Sequence, residues 1–377
     1  MRSLNDTLSR LSQLRDHALP GLPGRFAEDR LSDFGAFGSN PGALRGRFYV
    51  PHTRHASTAL VVVLHGCTQD AAGYDHGSGW SRLADEQGFA LLFPEQQRGN
   101  NGNLCFNWFN AGDVQRDTGE ALSIRQMVSA MAEEHGIDPS RIFVTGLSAG
   151  GAMASAMLAT YPDVFAGGAI IAGLPYGTAT SIPEAFDRMR AHGGPPASAL
   201  GKLVTAASSH EGPWPTISVW HGDSDATVSH GNSALIVEQW RAIHGLEHAP
   251  SAVETGDGYL RRVWRANRRD VIEEYRIAGL GHGTPISTSG AEACGTAGPY
   301  MLEAGISSTR RIASFWGLSA APTESRAEDA RPRPPLAPPS AGITVAAEPH
   351  GTPRSQVSSG GVGRVIEDAL RAAGLMR

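Results

Sequence analysis

Along the middle of the chain, apolar runs of strand length alternate with segments of helical period. Ala59 to Leu64 (ALVVVL) is continuously apolar, the pattern of a parallel strand buried on both faces. Ser81 to Gln87 reads as helix, and Phe89 to Phe93 (FALLF) as a second buried strand ended by Pro94. Gly119 to His135 places Ala121, Ile124, Met127, Val128 and Met131 on one helical face. Asp138-Pro139 reads as a turn, followed by a strand from Arg141 to Thr145 (RIFVT). Gly150 to Thr160 is a helix of small residues, ended at Tyr161-Pro162. Ala169 to Ala172 and Thr216 to Trp220 are further strands, and Val271 to Ile277 alternates as a strand nearer an edge does. This alternation predicts the α/β class, a mostly parallel central sheet with helices on both faces. In such sheets the ligand site lies at the carboxyl ends of the strands. The connection from Leu174 to Pro215 is long enough to form a small cap over that site.

Composition divides the chain further. Residues 1–44 hold a short amphipathic helix, with Leu4, Leu8, Leu11, Leu14 and Ala18 three or four apart, and a lead-in. Residues 45–318 hold nearly all the strong apolar runs and form the expected catalytic domain. Residues 319–361 are rich in Pro, Ala and Ser and read as a flexible linker, because they bury too little apolar surface to offset their ordering entropy. Residues 362–377 carry Val365, Ile366, Ala369, Leu370 and Leu375 at helical spacing. No stretch reaches the roughly 18 apolar residues of a membrane span, and the N-terminus lacks the apolar core of a secretory signal. The chain therefore reads as cytoplasmic, without a membrane span. Its 32 basic and 37 acidic residues give a net charge of -5, which argues against a nucleic-acid partner. Three cysteines are too few for a disulfide scaffold and fit no zinc spacing.

The strongest chemical signal is Gly146-Leu147-Ser148-Ala149-Gly150, which fits G-x-S-x-G between a predicted strand and a predicted helix. A serine on so tight a turn stands clear of the sheet, and small neighbours let the turn close. The bland alternative is a Gly-rich turn with an incidental serine. A serine hydroxyl needs a base, and the base an orienting acid. Trp220-His221-Gly222-Asp223-Ser224-Asp225 follows one strand, and Gly279-Leu280-Gly281-His282-Gly283 another. His282 is the expected base and Asp225 the expected acid, with Asp223 the runner-up. Of the 14 histidines, His230, His244 and His248 read as exposed. His65 and His221 read as strand-end rings with packing or backbone roles. The oxyanion amides are expected from Ala149 and from the loop His65 to Gln69, where Cys67 is chosen and Gly66 and Thr68 stay open.

Cys105-Phe106-Asn107-Trp108-Phe109 is unusually aromatic for a loop. Asn107 and Trp108 are candidate substrate contacts, with Trp108 either a pocket wall or ordinary core. Cys105 can pair with Cys67, leaving Cys294 free, but an intracellular location argues against that bond.

Together LHGCTQ (Leu64 to Gln69), CFNWFN (Cys105 to Asn110), GLSAGGAM (Gly146 to Met153), WHGDSDATV (Trp220 to Val228), GLGHG (Gly279 to Gly283) and GPYML…FWGL (Gly298 to Leu318) resemble the poly(3-hydroxybutyrate) depolymerase-family esterases. The resemblance covers about Arg45 to Leu318. It implies an α/β-hydrolase fold, a triad at Ser148, Asp225 and His282, and an oxyanion hole near Cys67 and Ala149. The implied substrates are short-chain or hydroxyalkanoate-type esters, small or oligomeric, with feruloyl- or acetyl-type esters as the alternative. No metal or organic cofactor is called for, as H-E-x-x-H, C-x-x-C and G-x-G-x-x-G are absent from the sequence. A rival of another class is a catalytically idle polyester-granule protein, making granule or protein contacts through the C-terminal tail. A peptidase ranks below both, since no separate domain gates access to the site.

Overall fold

The apolar run at residues 58–64 becomes a central strand of a ten-stranded sheet. The computed structural model describes residues 29–53 and 57–319. The helices expected over 1–20 and 362–377, and the linker beyond residue 319, lie outside the described residues. In chain order the elements are β1 (Ser32–Asp33), β2 (Arg45–Tyr49), β3 (Thr58–Leu64), α1 (Ala71–Ser78), α2 (Trp80–Gln87), β4 (Ala90–Glu95), α3 (Ala111–Val114) and α4 (Gly119–His135). There follow β5 (Ile137–Leu147), α5 (Ala149–Thr160), β6 (Gly167–Ile171), α6 (Ile182–Met189), α7 (Ala197–Thr205), β7 (Thr216–Gly222) and α8 (Gly231–His244). The last are β8 (Ala252–Gly256), β9 (Tyr259–Ala266), β10 (Arg269–Ile277), β11 (Thr284–Ile286), β12 (Met301–Glu303) and α9 (Ser308–Phe315).

The sheet runs β1-β2-β4-β3-β5-β6-β7-β10-β9-β8. From β4 to β10 the neighbours are parallel, and the wings β1-β2 and β9-β8 are antiparallel. The reason β3 is apolar throughout is that it feeds two cores. Leu60, Val62 and Leu64 pack with Ile124, Met127, Met153 and Trp240 on one face. Val61 and Val63 pack with Trp80, Leu83, Phe93 and Trp316 on the other. α4 forms over the residues its periodicity predicts, burying Ala121, Ile124, Met127, Val128 and Met131. It stops at Gly136, whose left-handed backbone turns its N–H onto the Ala132 carbonyl.

Several boundaries differ from the sequence reading. β4 continues through Pro94 to Glu95. Its pairing with β3 ends at Leu92 while β2 accompanies it further, so the missing N–H of Pro94 costs no bond to β3. Asp138-Pro139 is no turn; it lies inside β5, where the register to β3 shifts between Thr58 and Leu60. β10 is interior, because the β8–β9 hairpin continues the sheet beyond it. The chain also joins the sheet before residue 45: β1 pairs with β2, and Leu31 and Leu44 are buried. The long 174–215 connection contains α6 and α7. The former is tied to the loop after β7 by the Ser229 amide, which donates to the Met189 carbonyl at 2.7 Å.

Candidate active site

Ser148 sits between β5 and α5 with φ 57° and ψ -119°, a conformation that costs a non-glycine residue about 1–3 kcal/mol. Its surroundings hold it there. The Ser148 N–H donates to the Ile171 carbonyl at 2.9 Å, and its own carbonyl accepts from Ala152 at 2.9 Å. The flanking glycines are required by close approach. A Cβ on Gly146 would lie 2.3 Å from the Gly150 carbonyl oxygen, and one on Gly150 would lie 2.3 Å from that of Leu64. The start of α5 thus rests directly on the carboxyl end of β3.

Asp225 and His282 occupy the loops after β7 and β10, which are parallel neighbours. The loops are zipped together: the Asp223 amide donates to Ile277 and that of Ser224 to Leu280, each at 3.0 Å. Gly222 is needed there, since a Cβ would meet the Leu280 carbonyl oxygen at 2.2 Å. His282 Nδ1 donates to Asp225 Oδ2 at 2.7 Å, and both side chains are nearly inaccessible (4% and 0% exposed). The amides of Thr227 and Val228 donate to Asp225 Oδ1 at 2.8 and 2.9 Å. Burial opposes ionisation of Asp225, but the His221 and His282 imidazoles outweigh it and hold the carboxyl well below its ordinary range. Asp223, the runner-up, instead accepts from the Gly279 amide at 2.7 Å and so steadies the loop that carries His282.

The loop after β3 abuts the Ser148 turn, for a Cβ on Gly66 would lie 3.5 Å from the Leu147 carbonyl oxygen. Two of its amides are committed: Gly66 donates to Gln69 Oε1 at 2.8 Å and Thr68 to Asn103 at 2.7 Å. Among the described residues the amides of Cys67 and Ala149 have no acceptor, whereas those of Gly66 and Thr68 do. His65 braces the loop from below. It is fully buried, its Nδ1 donates to the Gly66 carbonyl at 2.8 Å, and its Nε2 accepts the Gln96 amide at 3.1 Å.

Cys67 and Cys105 form a disulfide, against the expectation drawn from an intracellular compartment. Their Cα atoms lie 4.2 Å apart, because the loops after β3 and β4 run side by side there. Cys294 is free and buried, and its thiol pKa is pushed up to about 11 by burial.

Asn107, half-buried, is tied to the helix layer. Its amide and its Nδ2 both donate to Glu120, at 2.9 and 2.7 Å, and its Oδ1 accepts from Asn101. Glu120 is buried and also receives Gln96 Nε2 at 2.6 Å, so one carboxyl group gathers the whole 96–107 loop. Trp108 is half-buried. It and Met189 pack against Ala152, Leu174 and Val228, an apolar cluster between the first turn of α5 and the acid loop. His221, read from the sequence as a strand-end ring with a packing or backbone role, does bond the Val228 carbonyl at 2.9 Å, and its Nε2 also lies 3.3 Å from Asp225 Oδ2, which the sequence reading did not foresee. The signal available was its spacing of four residues from Asp225 across a strand-end turn. Among the described residues no group of three His, Cys, Asp or Glu could hold a metal, and no helix is long and apolar enough to cross a membrane.

Residues 46–261 match the family described as Esterase PHB depolymerase. Poly(3-hydroxyalkanoate) depolymerase C of Paucimonas lemoignei is 48% identical over 291 residues, 76% of this chain and 70% of that protein. Feruloyl esterase B of Talaromyces stipitatus is 29% identical, over 71% of this chain and 76% of that one. Among solved structures, an acetyl xylan esterase from Aspergillus awamori matches with a TM-score of 0.65 at 22% identity, covering 77% of this chain and 99% of that one. That likeness concerns the fold, which is the α/β-hydrolase fold.

Proposed function

The chain belongs to the Esterase PHB depolymerase family and is a serine carboxylic-ester hydrolase; on that premise we propose that Ser148, His282 and Asp225 carry its chemistry. Ser148 Oγ attacks the ester carbonyl while His282 Nε2 takes its proton. Asp225 holds the imidazole with its Nδ1 hydrogen inward and stabilises the imidazolium. The amides of Cys67 and Ala149 receive the oxyanion. His282 returns the proton to the leaving alcohol, and water then releases the acyl group along the reverse path. The observation that carries this reading is the buried 2.7 Å bond between His282 and Asp225, set at the sheet end that also bears the strained Ser148.

The proposed substrates are short-chain or hydroxyalkanoate-type esters, soluble or oligomeric. The apolar cluster of Trp108, Met189, Leu174 and Val228 beside the acid loop supports a small acyl pocket. The name of the 48% identical depolymerase favours hydroxyalkanoates, and those of the 29% identical feruloyl esterase and of an acetylxylan esterase from Coprinopsis cinerea, 28% identical, favour feruloyl and acetyl esters as the second reading. Contact of the C-terminal tail with granules or a protein belongs to the same proposal. The proposed location remains the cytoplasm, with the Cys67–Cys105 bond, of a kind that persists in oxidising compartments, favouring export as the second reading.

A panel of nitrophenyl esters from acetyl to long chain, 3-hydroxybutyrate oligomers and granules, feruloyl esters and acetylated xylan tests the substrate. The full chain is expected to turn over short acyl chains and oligomers fastest and to sediment with granules. Ser148→Ala is expected to lose about 10⁴-fold or more in kcat. Preference for feruloyl or xylan esters would move the assignment to the second reading, and turnover by the mutant would overturn the triad.

A further inference from the structure

His221 is the buried imidazole that the proposed relay leaves unused. It is the penultimate residue of β7, with its side chain 1% exposed. Its Nε2 lies 2.9 Å from the Val228 carbonyl oxygen and 3.3 Å from Asp225 Oδ2. Both neighbours are acceptors, so Nε2 carries the hydrogen. Nδ1 is buried and has no partner among the described residues. All the polar bonding of this ring is thus directed at the acid loop.

We propose that His221 is a positioning residue for ester hydrolysis: its Nε2 hydrogen, shared between Val228 and Asp225, sets the rotation of the Asp225 carboxylate so that Oδ2 faces His282. This rests on the triad reading given above. The argument is geometric. The Thr227 and Val228 amides both bond Oδ1 and neither bonds Oδ2. His282 cannot fix Oδ2, because the imidazole is itself the group being oriented. His221 reaches the same oxygen from the strand end, a rigid element. It also holds the carbonyl of Val228, whose amide bonds the other oxygen, so one ring fixes both ends of the turn. Misplacing a catalytic group by about 1 Å costs on the order of 10²-fold in rate.

The test compares four variants in kcat and KM. His221→Phe keeps the ring and loses the donor, so kcat falls about 10- to 100-fold with KM within about twofold. His221→Gln restores an N–H near the Nε2 position and recovers most of kcat. His221→Asn is too short to reach and does not. In an Asp225→Asn background, His221→Phe costs little further, because it acts through that carboxylate. An unchanged kcat in His221→Phe would overturn the proposal, as would full additivity with Asp225→Asn. Should His221→Phe fail to fold, equal kcat in the Gln and Asn variants would overturn it. Ser148→Ala, assayed alongside, separates the two readings. Activity in that mutant sinks the triad and His221 together, whereas its loss with an indifferent His221 sinks only the latter.

Discussion

Asp225 receives three hydrogen bonds and the longer His221 contact while its side chain is sealed from solvent. An isolated carboxylate there would be costly, and these donors are what make it tolerable. The consequence is a pH signature. Unfolded, the group titrates near 3.8; folded, it titrates lower. Its contribution to stability is therefore full above that value and is lost as pH falls through and below it. Denaturation of wild type and Asp225→Asn should differ most near neutral pH, and the gap should narrow at pH 3. A gap that ignores pH would mean the carboxylate is not held as described. The residue scale is also where the sequence was most informative. G-x-S-x-G and the glycine-flanked His282 are legible because chemistry restricts residue type at each position. The bonds from Asn107 to Glu120 were not legible, because an asparagine in an aromatic loop looks the same facing a substrate or a buried carboxyl group.

The loops after β3 and β4 act as one element. Cys67 carries a proposed oxyanion donor on its backbone and is bonded through its side chain to Cys105, 38 residues on. The second loop is gathered by Glu120 of α4, so the donor is anchored through the disulfide to the helix layer. Opening a loop of this size costs about 2–4 kcal/mol of stability. The Cys67→Ser, Cys105→Ser variant should therefore lose that amount in denaturant titration. It should also lose about 10- to 100-fold in kcat, part of the loss seen when an oxyanion donor is removed outright. Full activity in the folded variant would mean the loop holds its place unaided. Thiol alkylation of the chain taken directly from cells, before and after reduction, reads whether the bond forms in its own compartment. The sequence left this pairing open and weighed the compartment against it; what it did not show is that the loops after β3 and β4 meet once the two strands align.

At the scale of the whole molecule, the parallel centre was legible and the wings were not. β3, β4 and β6 are buried on both faces along nearly their whole length, so their residues are almost uniformly apolar. The β8–β9 hairpin is held differently. Arg261 pairs with Glu254 and Glu273, and Arg262 with Glu274, so its sequence reads as a charged surface segment. Missing that hairpin made β10 look nearer an edge than it is. The parallel strands alone bring the ends of β5, β7 and β10 to one rim, and the antiparallel wings only extend the sheet around them.

The central claim is that Ser148 is an activated nucleophile at that rim. Intact-mass and peptide-mapping measurement after treatment with a fluorophosphonate tests it most directly. The account predicts one adduct per chain, on Ser148, absent in Ser148→Ala and formed at least about 10²-fold more slowly in His282→Ala. A folded wild-type chain that takes no adduct, or takes it on another residue, would contradict it.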